Sequence, residues 1–309
     1  MPSITIGIIA GLTAAAASAI SYLISRHHGN RLAGGSLRLL VQAHFLMGIC
    51  SLPLVALLWP RTAPPPAAWL LPLVGSTACY LVGQAAVFAL LKRLDASSVA
   101  PLLGLKIVVL ASIVAFVLGH PLSTRQWVAV GVSIVAATFL RRAGAGVSAR
   151  LLAGVLVACL FFSLSDICIV ALIDGLQTPP PAEVTLGPAL GRFRAGVLAM
   201  ALTYALCGGI AACFVPGVSR RHAGGWGPAA QYAAAWLGGM VALYTCFGIV
   251  GVVFGNILQS TRGIMAVGLG AVLAHMGWHD LEQRVDRLSL VRRLVAAALM
   301  TAAIGIYAA

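Results

Sequence analysis

Apolar runs of about twenty residues recur along almost the whole chain, from MPSITIGIIAGLTAAAASAISYLIS at residues 1–25 to LVAAALMTAAIGIYAA at 294–309. At 1.5 Å of helical rise per residue, each is long enough to cross a hydrocarbon core of about 30 Å. In lipid, an open segment must satisfy its own backbone hydrogen bonds, and these runs are too long and continuous for barrel strands, so each is read as a helix. Composition agrees: 61% of the 309 residues are hydrophobic and 9% charged, where soluble domains carry roughly 25% charged residues. The fold class expected is an all-α polytopic membrane protein with about ten transmembrane helices.

Pro, Gly and charge pairs punctuate the runs into spans at about 4–25, 38–59, 67–91, 97–119, 125–141, 150–173, 194–215, 228–249, 254–277 and 290–308. The junction between the eighth and ninth, around IVGVVFGN, has no flanking charge to fix it. The first run lacks a basic leader and reads as a retained span, not a signal peptide. The longest stretch outside the spans, GLQTPPPAEVTLGPALGR at 175–192, leaves no room for a soluble catalytic domain. Seven cysteines lie inside apolar runs without a CxxC pair or a neighbouring His cluster, and read as reduced packing residues with no metal site. Trp59, Trp69, Trp127, Trp226 and Trp278 fall near span ends, where amphipathic rings meet the headgroups.

Loops after odd-numbered spans hold fourteen Lys and Arg residues against four on the opposite side. The positive-inside rule puts the fourteen in the cytoplasm and both termini outside. The net charge of +13 is thereby a topology signal and an attraction to anionic headgroups, without need of nucleic acid as a partner.

Ten spans divide into two halves of five with opposite orientation, a plan that many carriers use. The fourth and fifth spans, LKIVVLASIVAFVLGHPLSTRQWVAVGVSIVAATF, align with TRGIMAVGLGAVLAHMGWH and its continuation LSLVRRLVAAALMTAAIGIY at an offset of 156, which pairs Lys106 with Arg262. The halves are taken as residues 1–145 and 146–309.

The segment ALLKRLDASSVAPLLGLKIVVLASIVAFVLGHPLSTRQWVAVGVSIVAATFLRR, residues 89–142, resembles the EamA-type members of the drug/metabolite transporter superfamily. A helix, a short Ala/Ser turn, a span with Pro near its start, a glycine turn and a further span follow one another at that family's spacing. The second half is similar but fainter. Two departures stand out: His120 and Pro121 occupy the turn where relatives commonly carry Glu, and relatives keep both termini in the cytoplasm, against the charge count. The resemblance implies a multi-pass carrier of the cell (inner) membrane that has no ATPase motor and needs no cofactor. Its two repeats would rock around a central cavity lined by the fourth and ninth spans, which in some relatives bind anions through basic residues.

Lys106 lies nine residues after Ser97 and thirteen before Gly119, about 14 Å or more from either end of its span. That is too deep for a lysine stem to reach the headgroups, so Lys106 should face a wet cavity or a partner. Asp166 is the one acid inside a span, which makes a structural ion pair the rival to a ligand role. Arg262 sits nearer one surface. Tyr80, Gln84, Tyr244 and Gln259 are further candidates for substrate hydrogen bonds, with Asn256, Ser18, Ser21 and Tyr22 weaker ones. His44 could couple transport to protons together with Asp166. Two bases and one acid leave an intramembrane charge of +1, which an anionic or carboxylate-bearing metabolite would neutralise. No HExxH, GxSxG, Walker or paired-carboxylate pattern is present, so an enzyme is not expected. The reading is a secondary transporter of a small-molecule substrate, an exporter or exchanger, acting as a monomer or homodimer among membrane lipids. A flippase of a lipid-linked carrier and a lipid-phosphate transferase are the alternatives.

Overall fold

A computed structural model describes residues 2–31, 35–60, 64–113, 123–142, 148–177, 188–221, 225–277 and 287–308. Its helices are α1 (Pro2–Arg31), α2 (Gly35–Leu58), α3 (Pro66–Leu91), α4 (Ala96–Leu102), α5 (Lys106–Ser112), α6 (Thr124–Arg142), α7 (Ala149–Leu176), α8 (Pro188–Arg221), α9 (Trp226–Val250), α10 (Val252–Ser260), α11 (Arg262–His275) and α12 (Arg287–Ala308). No strand occurs among the described residues. Each of the ten expected spans is met by helix, and two of them are broken. His120, Pro121, Gly119 and Trp278 lie outside the described residues.

The breaks fall in the fourth and ninth spans at matching places. In the fourth, α4 passes into a single 3-10 turn at Leu103–Leu105 before α5 begins at Lys106; in the ninth, α10 ends at Ser260 and α11 begins at Arg262. Both basic residues therefore open the second half of a broken span, ten positions after its start. Between the eighth and ninth spans, Gly251 takes φ 81° and ψ 164°, a conformation open essentially to glycine alone. That residue ends α9 and lets α10 leave in a new direction.

Among the described residues, seven helices are long and apolar enough to cross a membrane, the ninth span from Gly255 to His275 among them, and the fourth span contributes the shorter apolar helix Ala96–Leu105. The fifth and tenth carry arginines within their helical ends, Arg125, Arg141 and Arg142 in α6 and Arg287, Arg292 and Arg293 in α12. Local signals fix several starts. Ser123 and Gln126 form a capping box before α6, with the Gln126 N–H donating to Ser123 Oγ at 3.3 Å and the Ser123 N–H to Gln126 Oε1 at 2.8 Å. Ser148 accepts from the Leu151 N–H at 3.3 Å and caps α7.

In lipid the hydrophobic effect does little to drive helix onto helix, so association depends on close packing and polar seams. The most extensive pairings are α3 with α7, α2 with α8, α1 with α9 and α6 with α12, followed by α8 with α9, α2 with α9 and α4 with α11. At the α2–α8 crossing, Gly48 and Gly208 face one another so closely that a Cβ on either would lie 2.5 Å from the other's Cα. The α4–α11 crossing brings Gly263 against Pro101. The core of the bundle includes Tyr22, Tyr204, Tyr232 and Trp236, all essentially buried. All seven cysteines are free, and no cluster of metal-ligating side chains occurs among the described residues.

Candidate functional site

Because α5 starts at Lys106, its ammonium projects from the break toward α7 and α10. Lys106 Nζ forms an ion pair with Asp166 Oδ2 of α7 and donates to Asn256 Oδ1 of α10 at 3.1 Å. Asn256 Nδ2 in turn donates to Asp166 Oδ2 at 2.9 Å. The three side chains close a triangle in which the amide matches donor to acid and acceptor to base. The side chains of Lys106 and Asp166 remain 17% and 13% exposed, so this pair borders a cavity.

That cavity lies at the centre of the bundle. It is lined on its polar side by Lys106, Asp166, Asn256, Gln259 and Arg262, and on its aromatic side by Tyr22, Tyr80, Phe162, Tyr204, Trp236, Tyr244 and Phe247. Its volume is about 50 Å³, far below the roughly 300 Å³ at which ligand pockets begin. As it stands the cavity is too small for a drug-sized molecule, and the Lys106–Asp166 pair lies along its wall.

Arg262 stands across from this pair with its guanidinium 5.9 Å from the centre of the Tyr22 ring, in cation–π reach. Its Nε has no hydrogen-bond partner among the described residues. Gln259 donates to Ser18 Oγ at 3.0 Å, tying α10 to α1. Trp236 Nε1 donates to Tyr204 Oη at 2.8 Å, while the Tyr232 and Trp236 rings stack at 5.9 Å.

Of the residues named from sequence, the cavity brings together Lys106, Arg262, Tyr80, Tyr244, Gln259, Asp166, Asn256 and Tyr22. It does not include Gln84, which is buried and donates to the Tyr232 hydroxyl behind the wall. Ser21 bonds back to Ala17 O of its own helix. His44 is buried, with Nδ1 2.7 Å from Leu40 O and Nε2 3.0 Å from the Tyr80 hydroxyl. It lines a separate lateral groove and not the cavity that holds Asp166. The aromatic wall of Phe162, Tyr204, Trp236 and Phe247 escaped the sequence reading, since an aromatic residue in an apolar run gives no sign of which way it faces.

Toward the face rich in basic loops, the ends of α1, α3 and α12 are fastened around Asp95. Arg26 approaches it at 3.3 Å and also donates to Leu91 O at 2.7 Å. Arg293 lies 4.0 Å from the other carboxylate oxygen and donates to Ser97 Oγ at 2.6 Å. On the opposite face, a vestibule of about 200 Å³ is bounded by Asp174, Gln177 and Arg192, and Phe247 lines both this vestibule and the central cavity.

Residues 5–142 match the EamA-like transporter family. This family is part of the drug/metabolite transporter superfamily, and the match covers α1 to α6, including the 89–142 segment read above and Lys106 within it. No curated relative matches the chain. The EamA match over residues 5–142, together with a bundle of apolar helices, supports a multi-pass membrane protein and suggests a membrane transporter of the drug/metabolite type. EamA relatives are transporters, in keeping with the lack of a catalytic motif.

Proposed function

We propose that the protein is a secondary transporter of a small polar metabolite bearing a carboxylate or other anionic group, bound in the central cavity by alternating access between residues 1–145 and 146–309. The observation that carries this reading is the convergence of Lys106, Arg262 and Asp166 on one cavity, with a formal charge of +1. An anion restores neutrality there with no further protein group, and a buried uncompensated charge is costly otherwise. Arg262 offers a guanidinium whose Nε has no hydrogen-bond partner among the described residues, suited to bidentate recognition. The aromatic wall favours a substrate with a flat or apolar portion beside its charge.

Two features support the two-repeat plan. Lys106 and Arg262 occupy the same place in their broken spans, and interrupted helices of this kind mark the binding midplane of many carriers. Exchange of each first-half span for its second-half counterpart converts the α3–α7 pairing into α9–α1 and returns the α2–α8, α4–α11 and α6–α12 pairings onto themselves. In the mechanism that follows, an entering anion takes Lys106 from Asp166, and Asp166 keeps its bond from Asn256 while it gains a proton or a substrate cation. The lateral groove shares no lining residue with this cavity, which favours a metabolite over a lipid-linked carrier as cargo.

The test is a thermal-shift screen of purified protein against a metabolite library, repeated on Lys106→Gln, with hits carried into reconstituted vesicles. Anionic compounds that stabilise the parent and not the variant, and that cross the vesicle membrane unchanged, are expected. Hits confined to cations, or compounds recovered chemically altered, would overturn the reading.

A further inference from the structure

Four successive residues at the α10–α11 junction turn two ways. Ser260 Oγ and Thr261 Oγ1 donate back to Ile257 O and Leu258 O of their own helix, each at 2.6 Å. Gln259 and Arg262 meet α1 instead: Gln259 Nε2 donates to Ser18 Oγ at 3.0 Å, and the Arg262 guanidinium lies over the Tyr22 ring. Ser18 and Tyr22 are one turn apart on α1, and residues three apart on a helical path are likewise neighbours, with about 5–6 Å between Cβ atoms. The four side chains thus form one patch, of which Gln259, Arg262 and Tyr22 line the central cavity. Gln259 is 6% exposed and Tyr22 is fully buried. Yet Gln259 Oε1, Tyr22 Oη and Arg262 Nε have no hydrogen-bond partner among the described residues, and buried polar atoms in that condition call for a reason.

We propose that this patch reads a hydroxyl, and that the substrate is a hydroxycarboxylate monoanion whose hydroxyl stands close to its carboxylate, as in a 2-hydroxy acid. With Gln259 Nε2 engaged by Ser18, the end of the amide left over is Oε1, which can only accept, so the ligand must bring an O–H or N–H to it. Arg262 Nε is a donor and Tyr22 Oη can donate, and both suit the oxygens of a carboxylate. One ligand meets all three atoms by offering acceptors and a donor within the short reach of neighbouring side chains. Charge then chooses between the two kinds of donor. The cavity holds two bases and one acid, a formal charge of +1. A hydroxycarboxylate neutralises it, whereas a 2-amino acid is a zwitterion and leaves it standing, and a keto acid brings the charge without the donor. The part given to Arg262 and the charge sum rest on the transport reading above; the part given to Gln259 goes beyond it.

Calorimetric titration of the purified protein with phenyllactate, phenylpropionate, phenylpyruvate and phenylalanine provides the test. The four share a ring for the aromatic wall and differ at one carbon, so whatever widening the cavity needs is common to them and cancels in the comparison. Phenyllactate should bind about tenfold more tightly than phenylpropionate, the worth of the hydrogen bond to Oε1, and more tightly than phenylpyruvate and phenylalanine. Gln259→Met should abolish the preference for the hydroxyl, while Tyr22→Phe should weaken all the carboxylates by a similar factor and leave that preference in place. Should Gln259→Met fail to fold, Gln259→Glu decides: its added charge cancels the net positive charge of the cavity, and phenylalanine should then outrank phenyllactate. Equal binding of phenyllactate and phenylpropionate by the parent removes the hydroxyl from recognition and leaves the anion reading intact, and a preference for phenylpyruvate means that the amide presents its N–H. Either result overturns the proposal, as does an order of affinities left unchanged by the Gln259 variant. Failure of every carboxylate to bind overturns the anion reading and this inference with it.

Discussion

The Lys106–Asp166 pair admits two accounts that a single substitution cannot separate, and a double-mutant cycle can. Among the described residues, Lys106→Gln leaves Asp166 facing the cavity with the Asn256 amide as its one partner, and Asp166→Asn leaves Lys106 with Asn256 Oδ1. Removal of one member of a buried pair costs about 3–5 kcal/mol, because the other charge stays behind uncompensated. With 17% and 13% of these side chains still exposed, the lower end, about 3 kcal/mol, is expected for each single variant. Lys106→Gln combined with Asp166→Asn removes both charges and keeps amide groups that Asn256 can bond. Its stability should return to within about 1 kcal/mol of the parent, a coupling of several kcal/mol. Denaturant unfolding in detergent gives the stabilities, and uptake into proteoliposomes gives the transport. If the lysine serves the substrate, the double variant is folded and inert. If it transports at the parent rate, Lys106 is a structural cation and the argument from charge is wrong.

Arg262→Gln should raise the KM for an anionic substrate by about tenfold or more, the worth of a charge-assisted hydrogen bond, with folding retained; an unchanged KM removes Arg262 from the site. Gly48→Ala should destabilise the protein by about 1–3 kcal/mol through overpacking at Gly208, whereas Gly209→Ala, where a Cβ meets nothing within 4 Å, should leave the melting temperature unchanged. Equal melting temperatures for those two variants would refute the close α2–α8 crossing. Gly251→Ala should cost about 1–3 kcal/mol for a backbone conformation that alanine avoids; a neutral result in denaturant unfolding would mean that the α9–α10 junction is otherwise built.

The helices themselves were legible because an apolar run of twenty residues has one solution in lipid, and polar punctuation marks its ends. The breaks inside two of them were not. Leu103–Leu105 is as apolar as its flanks, and nothing in Leu-Gly-Leu separates a 3-10 turn from a continued helix. The junction at Gly251 was the least certain of the boundaries, since no charge marks it, and a backbone angle decides it. At the site, depth along the span was enough to single out Lys106, and the scarcity of acids was enough to name Asp166 as its rival partner. Which of the two accounts holds geometrically needed the third dimension, where Asn256 turns a pair into a triangle. Polarity in a span identifies a group that needs a partner, and here Gln84 finds the Tyr232 hydroxyl while His44 finds the Tyr80 hydroxyl and Leu40 O.

Phe247 lines both the vestibule beside Asp174 and the central cavity, seated against Gly255, where even a Cβ would come within 2.5 Å of Cδ1. On the opposite face, helix ends are fastened by Asp95 and two arginines drawn from different helices. A side-chain rotation moves one ring, whereas separating three helix ends is a collective step of microseconds to milliseconds. Under the alternating-access reading proposed above, the two exits would be unequal in weight, and the Asp95 clasp would set the pace.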